Sequence, residues 1–263
     1  MLKLKKGLCL ESLRQPLKKA LVTAAGIGAD GVEINARTEL RPADLSRTGV
    51  RHLKKMLGDL NLEVSAIHFP TRRGYEEPED LERRINATKQ AIDMAYQLGA
   101  KVVTNRIGWV PEDLNDSRGQ NLVQALTEIG LYSQRSGAWL AARTAGESGQ
   151  ALKGLIDHLP PMSLGVDFDP AEYTMHGQSS DQALRTLGSH VLNFRARDGV
   201  RDLSLGRGLE VQLGRGSVDL PGLLGLLEEN RYQGYITIER DSESEPVVQC
   251  AQSIEYLDNL FSG

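Results

Sequence analysis

Eight polar residues stand at or near the ends of short apolar runs: Glu33, His68, Arg106, Arg143, Asp169, Arg195, Arg197 and Glu239. Carboxylate, imidazole and guanidinium groups gathered in one place can move a proton beside a carbonyl or grip an anion. Their spacing supports such a gathering, because side chains alternate along a strand. Thr237 and Glu239 share one face while Ile236 and Ile238 share the other; Asp167 and Asp169 oppose Val166 and Phe168; Asn193, Arg195 and Arg197 share a face. A charge turned into a sheet's packed side is costly unless it is paired or liganded. A ring of such charges at one end therefore marks a site. Plainer readings stand beside this one. Asp169 precedes Pro170 and suits a turn, Glu33 and the arginines can simply pair, and His68 before Phe69 and Pro70 can be a core histidine. Glu239, inside the apolar "YITIER", has no turn chemistry to account for it.

Positioning these residues falls to an alternation of short strands and longer helical stretches. Strands are predicted near Gly7 to Leu10, in "GADGVEIN", "LEVSAIHFP", "AKVVTNRIG", "AWLAART", "SLGVDFDP", "HVLNFRARD" and "GYITIERD". Helices are predicted over 16–25, 44–60, 78–98, 121–134, in "ESGQALKGLIDHL" and "SDQALRTLG", over 219–230 and over 246–261, with Ser180 capping the first turn of "SDQALRTLG" and a glycine-rich loop from Gly199 to Gly216. Eight strand–helix units in 263 residues give an α/β fold, a single (β/α)8 TIM barrel over residues 1–263, with its site at the C-terminal ends of the strands. A doubly wound open sheet has about six strands.

Hydrophobic residues at 40% and charged residues at 25% support a large core. A net charge of −4, from 31 basic and 35 acidic residues, points away from a dedicated nucleic-acid or membrane-surface protein. Cys9 and Cys250 have no zinc or disulfide spacing and read as free thiols. No apolar run reaches the roughly 20 residues of a membrane span, and the N-terminus does not read as a signal peptide. The expectation is a soluble cytoplasmic protein.

"GADGVEI", "HFP", "LGAKVVTNRIG", "AGESG", "LGVDFDPAEYTMHG", "RARDG" and "LGRGSVDLPGLLGLLEENRYQGYITIER" together resemble the xylose-isomerase-like TIM-barrel superfamily of sugar and sugar-phosphate isomerases and epimerases. The resemblance implies a divalent metal held by Glu, Asp, His and Glu at the ends of strands five to eight, with the two Glu residues moving protons. Asp169 in "DFDPA" and Glu239 in "TIER" match two ligand positions. The other two read Arg143 in "LAARTAG" and Arg195 in "RARD"; Arg197 and Asp198 keep the character of the family's Lys-Asp pair, and His68 matches a frequent substrate-contacting His. Dimers and tetramers are frequent in the superfamily, but no sequence feature here marks a homo-oligomer.

Guanidinium groups have no free lone pair and do not coordinate metal. Glu to Arg and neutral His to Arg add three charges, and losing a divalent ion removes two, so a surplus of one positive charge is expected. An Arg roughly 5 Å from a divalent ion would be repelled by about 7 kcal/mol at an effective dielectric of 20. No cofactor is therefore expected; Mn, Mg, Zn or Co would be the candidates if Asp169 and Glu239 did bind a metal. The expected ligand is a small sugar, sugar phosphate or sugar acid, met by Arg143, Arg195, Arg197, Arg106 and Glu33, with backbone donors from "GRGLEVQLGRG". Glu239, Asp169 and His68 are the expected catalytic residues of an isomerase- or epimerase-like protein; the alternative is a degenerate carbohydrate-binding or regulatory barrel. A DNA-repair role would need a His-rich metal centre, and the five histidines lie mostly outside predicted strands.

Overall fold

The computed structural model describes residues 4–144, 146–202, 207–241 and 244–262. Eight parallel strands close into a barrel: β1 (Lys5–Cys9), β2 (Gly31–Asn35), β3 (Glu63–His68), β4 (Val102–Asn105), β5 (Trp139–Arg143), β6 (Gly165–Phe168), β7 (Val191–Ala196) and, as the eighth barrel strand, β10 (Tyr235–Ile238). Residues 5–262 thus build the single (β/α)8 architecture expected from the alternation. β10 hydrogen-bonds to both β7 and β1, which closes the ring. Helices α1 (Leu17–Gly26), α2 (Arg47–Asp59), α3 (Leu81–Leu98), α4 (Ser117–Ser136), α5 (Gly149–His158), α6 (Pro170–Met175), α7 (Ser180–Leu187), α8 (Leu220–Glu229) and α9 (Pro246–Ser262) connect the strands.

One strand parity packs outward against the helices. Leu8, Val32, Ile34, Ile67, Leu140, Val166, Phe168, Phe194, Ile236 and Ile238 are fully buried there. Burying such a side chain stabilises the fold by about 1.5–3 kcal/mol. The other parity faces the interior. Ala66, Val102 and Ala141 form a small separate apolar cluster. Each lies two residues before a polar side chain, His68, Thr104 and Arg143 respectively. The lumen therefore changes from small and apolar to charged on approaching the C-terminal rim.

Helix starts follow their caps. Ser148 accepts from Ala151 N for α5, and Asp116 accepts from Gly119 N for α4, which begins four residues before the predicted Asn121. The cap of α7 is Ser179, not Ser180; Ser179 accepts from Gln182 N and leaves Ser180 inside the first turn. Such a cap contributes about 1 kcal/mol. The stretch read as a loop from Gly199 to Gly216 instead carries an antiparallel hairpin, β8 (Asp198–Asp202) and β9 (Arg207–Val211). Its glycines hid it: Met175 of α6 packs where a side chain at Gly199 or Gly208 would lie. Residues 203–206 of that stretch lie outside the described residues. Among the described residues, no helix is long and apolar enough to cross a membrane.

Candidate functional site at the C-terminal rim

Parallel registration sets the inward charges side by side. Thr237 of β10 lies opposite Arg195 of β7, and Arg143 of β5 opposite Asp167 of β6. Arg195 is fully buried at the centre. Its Nε donates to Asp167 at 2.9 and 3.0 Å, and its Nη2 to Asp167 Oδ2 at 2.7 Å. Nη1 and Nη2 donate to Glu33 at 2.8 and 2.7 Å, and Nη1 also reaches Glu239 Oε2 at 2.8 Å. Three carboxylates therefore take up the five donors of one guanidinium. Asn193 and Thr237 continue this layer, Asn193 donating to Asp167 at 2.7 Å and Thr237 donating to Asn193 at 2.7 Å.

A second layer lies nearer the mouth. Arg143 donates to Glu239 Oε1 at 2.6 Å and stands 3.5 Å from Asp169 Oδ2. Arg197 donates to Asp169 Oδ2 and, at 3.0 Å, to Glu210 Oε2 of the hairpin. Arg106, more than half exposed, pairs with Glu172 of α6 at 3.3 Å. The other oxygen of Asp169 caps α6, accepting from Ala171 N and Glu172 N. Pro170 thus follows a residue that is both a turn cap and a rim carboxylate.

His68 joins through Thr104. The Thr104 hydroxyl gives its one hydrogen to Glu33 Oε2 at 3.1 Å, so the 3.1 Å contact between His68 Nδ1 and Thr104 Oγ1 has the imidazole as donor. This fixes the Nδ1–H tautomer and leaves Nε2 as an acceptor. Burial, with Arg143 and Arg195 adding to it, lowers the His68 pKa to about 4, so the ring is neutral at pH 7. Burial pushes the Glu239 carboxyl up, but Arg143, Arg195 and Arg197 together outweigh it and hold it well below the ordinary value. Burial pushes the Cys9 thiol well up, and Glu33 and Glu239 push it further.

All eight residues singled out in the sequence thus fall into one connected network. Arg143 bridges Asp169 and Glu239, while Arg195 serves Glu33, Asp167 and Glu239. The surplus positive charge is absent. Arg143, Arg195 and Arg197 face Glu33, Asp167, Asp169 and Glu239, three cations against four acids. Arg240 is also buried, donating to Val211 O and paired with Glu210 at 2.6 Å. The glycine-rich stretch does not hold out its backbone donors to a ligand: Gly199, Gly214, Gly216 and Val218 all turn their N–H groups onto the Asp198 carboxylate. Gly206, the first residue of the predicted donor motif, lies outside the described residues.

Sequence reasoning put Asp167 on the face of Asp169 but gave it no role, and it passed over Thr104, Glu172 and Glu210. Asp167 was legible in principle, since it shares the parity of Asp169. The other three gain their roles only from tertiary packing.

A family model described as the xylose isomerase-like TIM barrel matches residues 21–260. No curated protein matches the chain. Among solved structures, the xylose isomerase domain protein of Planctomyces limnophilus superposes with a TM-score of 0.84 at 23% identity, over 97% of this chain and 95% of that one. A xylose isomerase-like TIM-barrel protein of Mycobacterium smegmatis, in complex with magnesium, gives 0.78 at 16% identity over 98% and 96%. The D-allulose 3-epimerase of a Methylomonas species, in complex with D-allulose, gives 0.77 at 16% identity over 98% of each chain. The chain belongs to the xylose isomerase-like TIM-barrel family.

Proposed function

We propose that this barrel handles a sugar carrying a phosphate or carboxylate, and that guanidinium groups do the electrostatic work of a divalent cation. One observation carries the proposal: all four oxygens of Asp169 and Glu239 are already engaged. Asp169 Oδ1 accepts two backbone N–H groups, Asp169 Oδ2 faces Arg197 and Arg143, and the Glu239 oxygens accept from Arg143 and Arg195. A cation there would stand among three guanidiniums. Cys9, Glu33 and Glu239 do bring potential ligand atoms within 4.8 Å of one another. Arg195 Nη1, however, donates to both of those carboxylates, and the thiol is held in its protonated form. Neither set of residues fits a divalent metal.

In this reading Glu239, whose oxygens each keep a second lone pair, removes the proton beside the sugar carbonyl. Arg143, which holds Glu239 Oε1 through Nη2, steadies the enediolate oxygen that develops. His68 Nε2 accepts from a sugar hydroxyl. A rim arginine meets the anionic group in the fork geometry that suits phosphate and carboxylate, and Trp109, 65% exposed on the loop after β4, offers a face to the ring. With Arg143 in place of a second carboxylate, the chemistry is one-base isomerisation rather than two-base epimerisation.

The low basicity of both Glu239 and His68 favours a second reading, a barrel that binds its sugar without turnover. Screening sugar phosphates and sugar acids by thermal shift and by NMR for exchange of the carbon-bound proton tests both. Glu239→Gln should abolish exchange and keep binding if the protein is an enzyme. Binding without exchange in the unmodified protein supports the second reading. Stabilisation by neutral sugars alone contradicts the anionic ligand.

A further inference from the structure

The hairpin places a carboxylate between two buried arginines that come from different strand ends. Glu210 Oε2 accepts from Arg197 Nη2 at 3.0 Å, and Glu210 Oε1 pairs with Arg240 Nη1 at 2.6 Å. Both arginines are 7% exposed. They line a cavity of about 880 Å³ between the hairpin and α9, together with Met175, Leu209, Val248 and Gln249. Arg197 Nε is shielded from solvent behind this pair and has no partner. A lone buried N–H is expensive to leave unsatisfied.

We propose that Arg197 and Arg240 form a phosphate subsite, and that Glu210 is an internal stand-in for the phosphate. The proposal rests on the reading that the ligand is anionic and deepens it by naming the group and its place. Three features support it. A carboxylate divides its two oxygens between the two guanidiniums and has none left for Arg197 Nε; phosphate brings a further oxygen. Phosphate also brings a second negative charge at neutral pH. The outer layer holds four guanidiniums, Arg106, Arg143, Arg197 and Arg240, against four carboxylates, Asp169, Glu172, Glu210 and Glu239. Withdrawing Glu210 leaves Arg240 without a carboxylate partner among the described residues, while Arg197 keeps Asp169 and Glu172. β8 begins two residues after β7 ends, yet β8 and β9 pair only with each other among the described residues, so the carboxylate can leave without opening the barrel.

The test is titration of the full-length protein with inorganic phosphate by calorimetry, at low ionic strength, with circular dichroism to verify folding. Glu210→Ala should bind phosphate at least about tenfold more tightly than the unmodified protein, since one opposing charge is removed from a buried pair of cations. The gain should vanish in Glu210→Ala/Arg240→Gln and persist in Glu210→Ala/Arg143→Gln. Acetate should show a smaller gain than phosphate. Glu210→Gln, which keeps the shape, should bind phosphate more tightly than the unmodified protein and less tightly than Glu210→Ala; it decides the matter should the alanine variant fail to fold. A folded variant lacking Glu210 that binds phosphate no better than the unmodified protein overturns the proposal, as does a gain that survives loss of Arg240. Because inorganic phosphate reports on the arginine pair alone, absence of sugar turnover leaves this result intact.

Discussion

Arg195 and Arg143 carry the same head group on strands β7 and β5, yet the barrel uses them differently. Arg195 is fully buried, and all five of its donors end on carboxylates or on Thr104. Arg143 lies one layer outward, touches Glu239 and Asp169, and keeps Nε unpartnered. The difference follows from position along the strand. The inner layer is dry, and a buried charge there persists only when every lone pair and proton around it is met. The outer layer meets solvent at Glu239, Arg106 and His68. The inner arginine therefore holds the network together, and the outer one lies nearer the mouth.

Replacing each arginine by methionine separates the two. Arg195→Met leaves Glu33, Asp167 and part of Glu239 without a counter-charge, and should cost about 3–5 kcal/mol of stability in urea denaturation. Arg143→Met should cost about 1–2 kcal/mol, because Glu239 keeps Arg195 and Asp169 keeps Arg197. Equal losses would erase the distinction between the layers. Arg195→Lys sharpens it: one ammonium offers three donors where the guanidinium uses five, so hydrogen bonds are lost and about 2–3 kcal/mol of stability with them, even with the charge retained.

Acid tests the same layers through protons. The Glu239 carboxyl is depressed in the folded state, so its contribution is present above the ordinary pKa of 4.5 and is lost as pH falls below it. His68 works in the same direction: unfolding lets it take a proton that the folded site refuses, so stability falls as pH drops below 6.5 toward 4. A plot of melting temperature against pH should therefore slope downward into acid, and Glu239→Gln should flatten its lowest part. An unchanged slope in that variant would show that the arginines do not hold Glu239 ionised. The smallest effect is the most local one. The His68 midpoint, followed by NMR titration, should lie near 4 and should rise in Arg143→Gln, since Arg143 is the largest cause after burial. A midpoint that ignores the substitution would place Arg143 away from the imidazole.

Much of this was legible in the residues. Alternation of Ile236, Thr237, Ile238 and Glu239 gives both the strand and the inward face, because a period of two leaves one parity for the helices and one for the lumen. The same pattern in "GVDFD" contained Asp167, but an acid inside a strand shows no purpose until the neighbouring strand supplies Arg195. The hairpin was hidden because Gly199 and Gly208 exist to admit Met175, a long-range reason that leaves only a loop-like local signature. Glu172 and Glu210 reach the site from α6 and β9, outside the barrel strands, so strand periodicity says nothing about them.

The proposal that guanidinium groups take the place of a cation is tested most directly by metal content. Purified protein equilibrated with Mn, Mg, Co or Zn and then freed of unbound ions should carry substoichiometric metal, and a chelator should leave its melting temperature and ligand binding unchanged. One equivalent of bound metal that is lost in Glu239→Gln would contradict it.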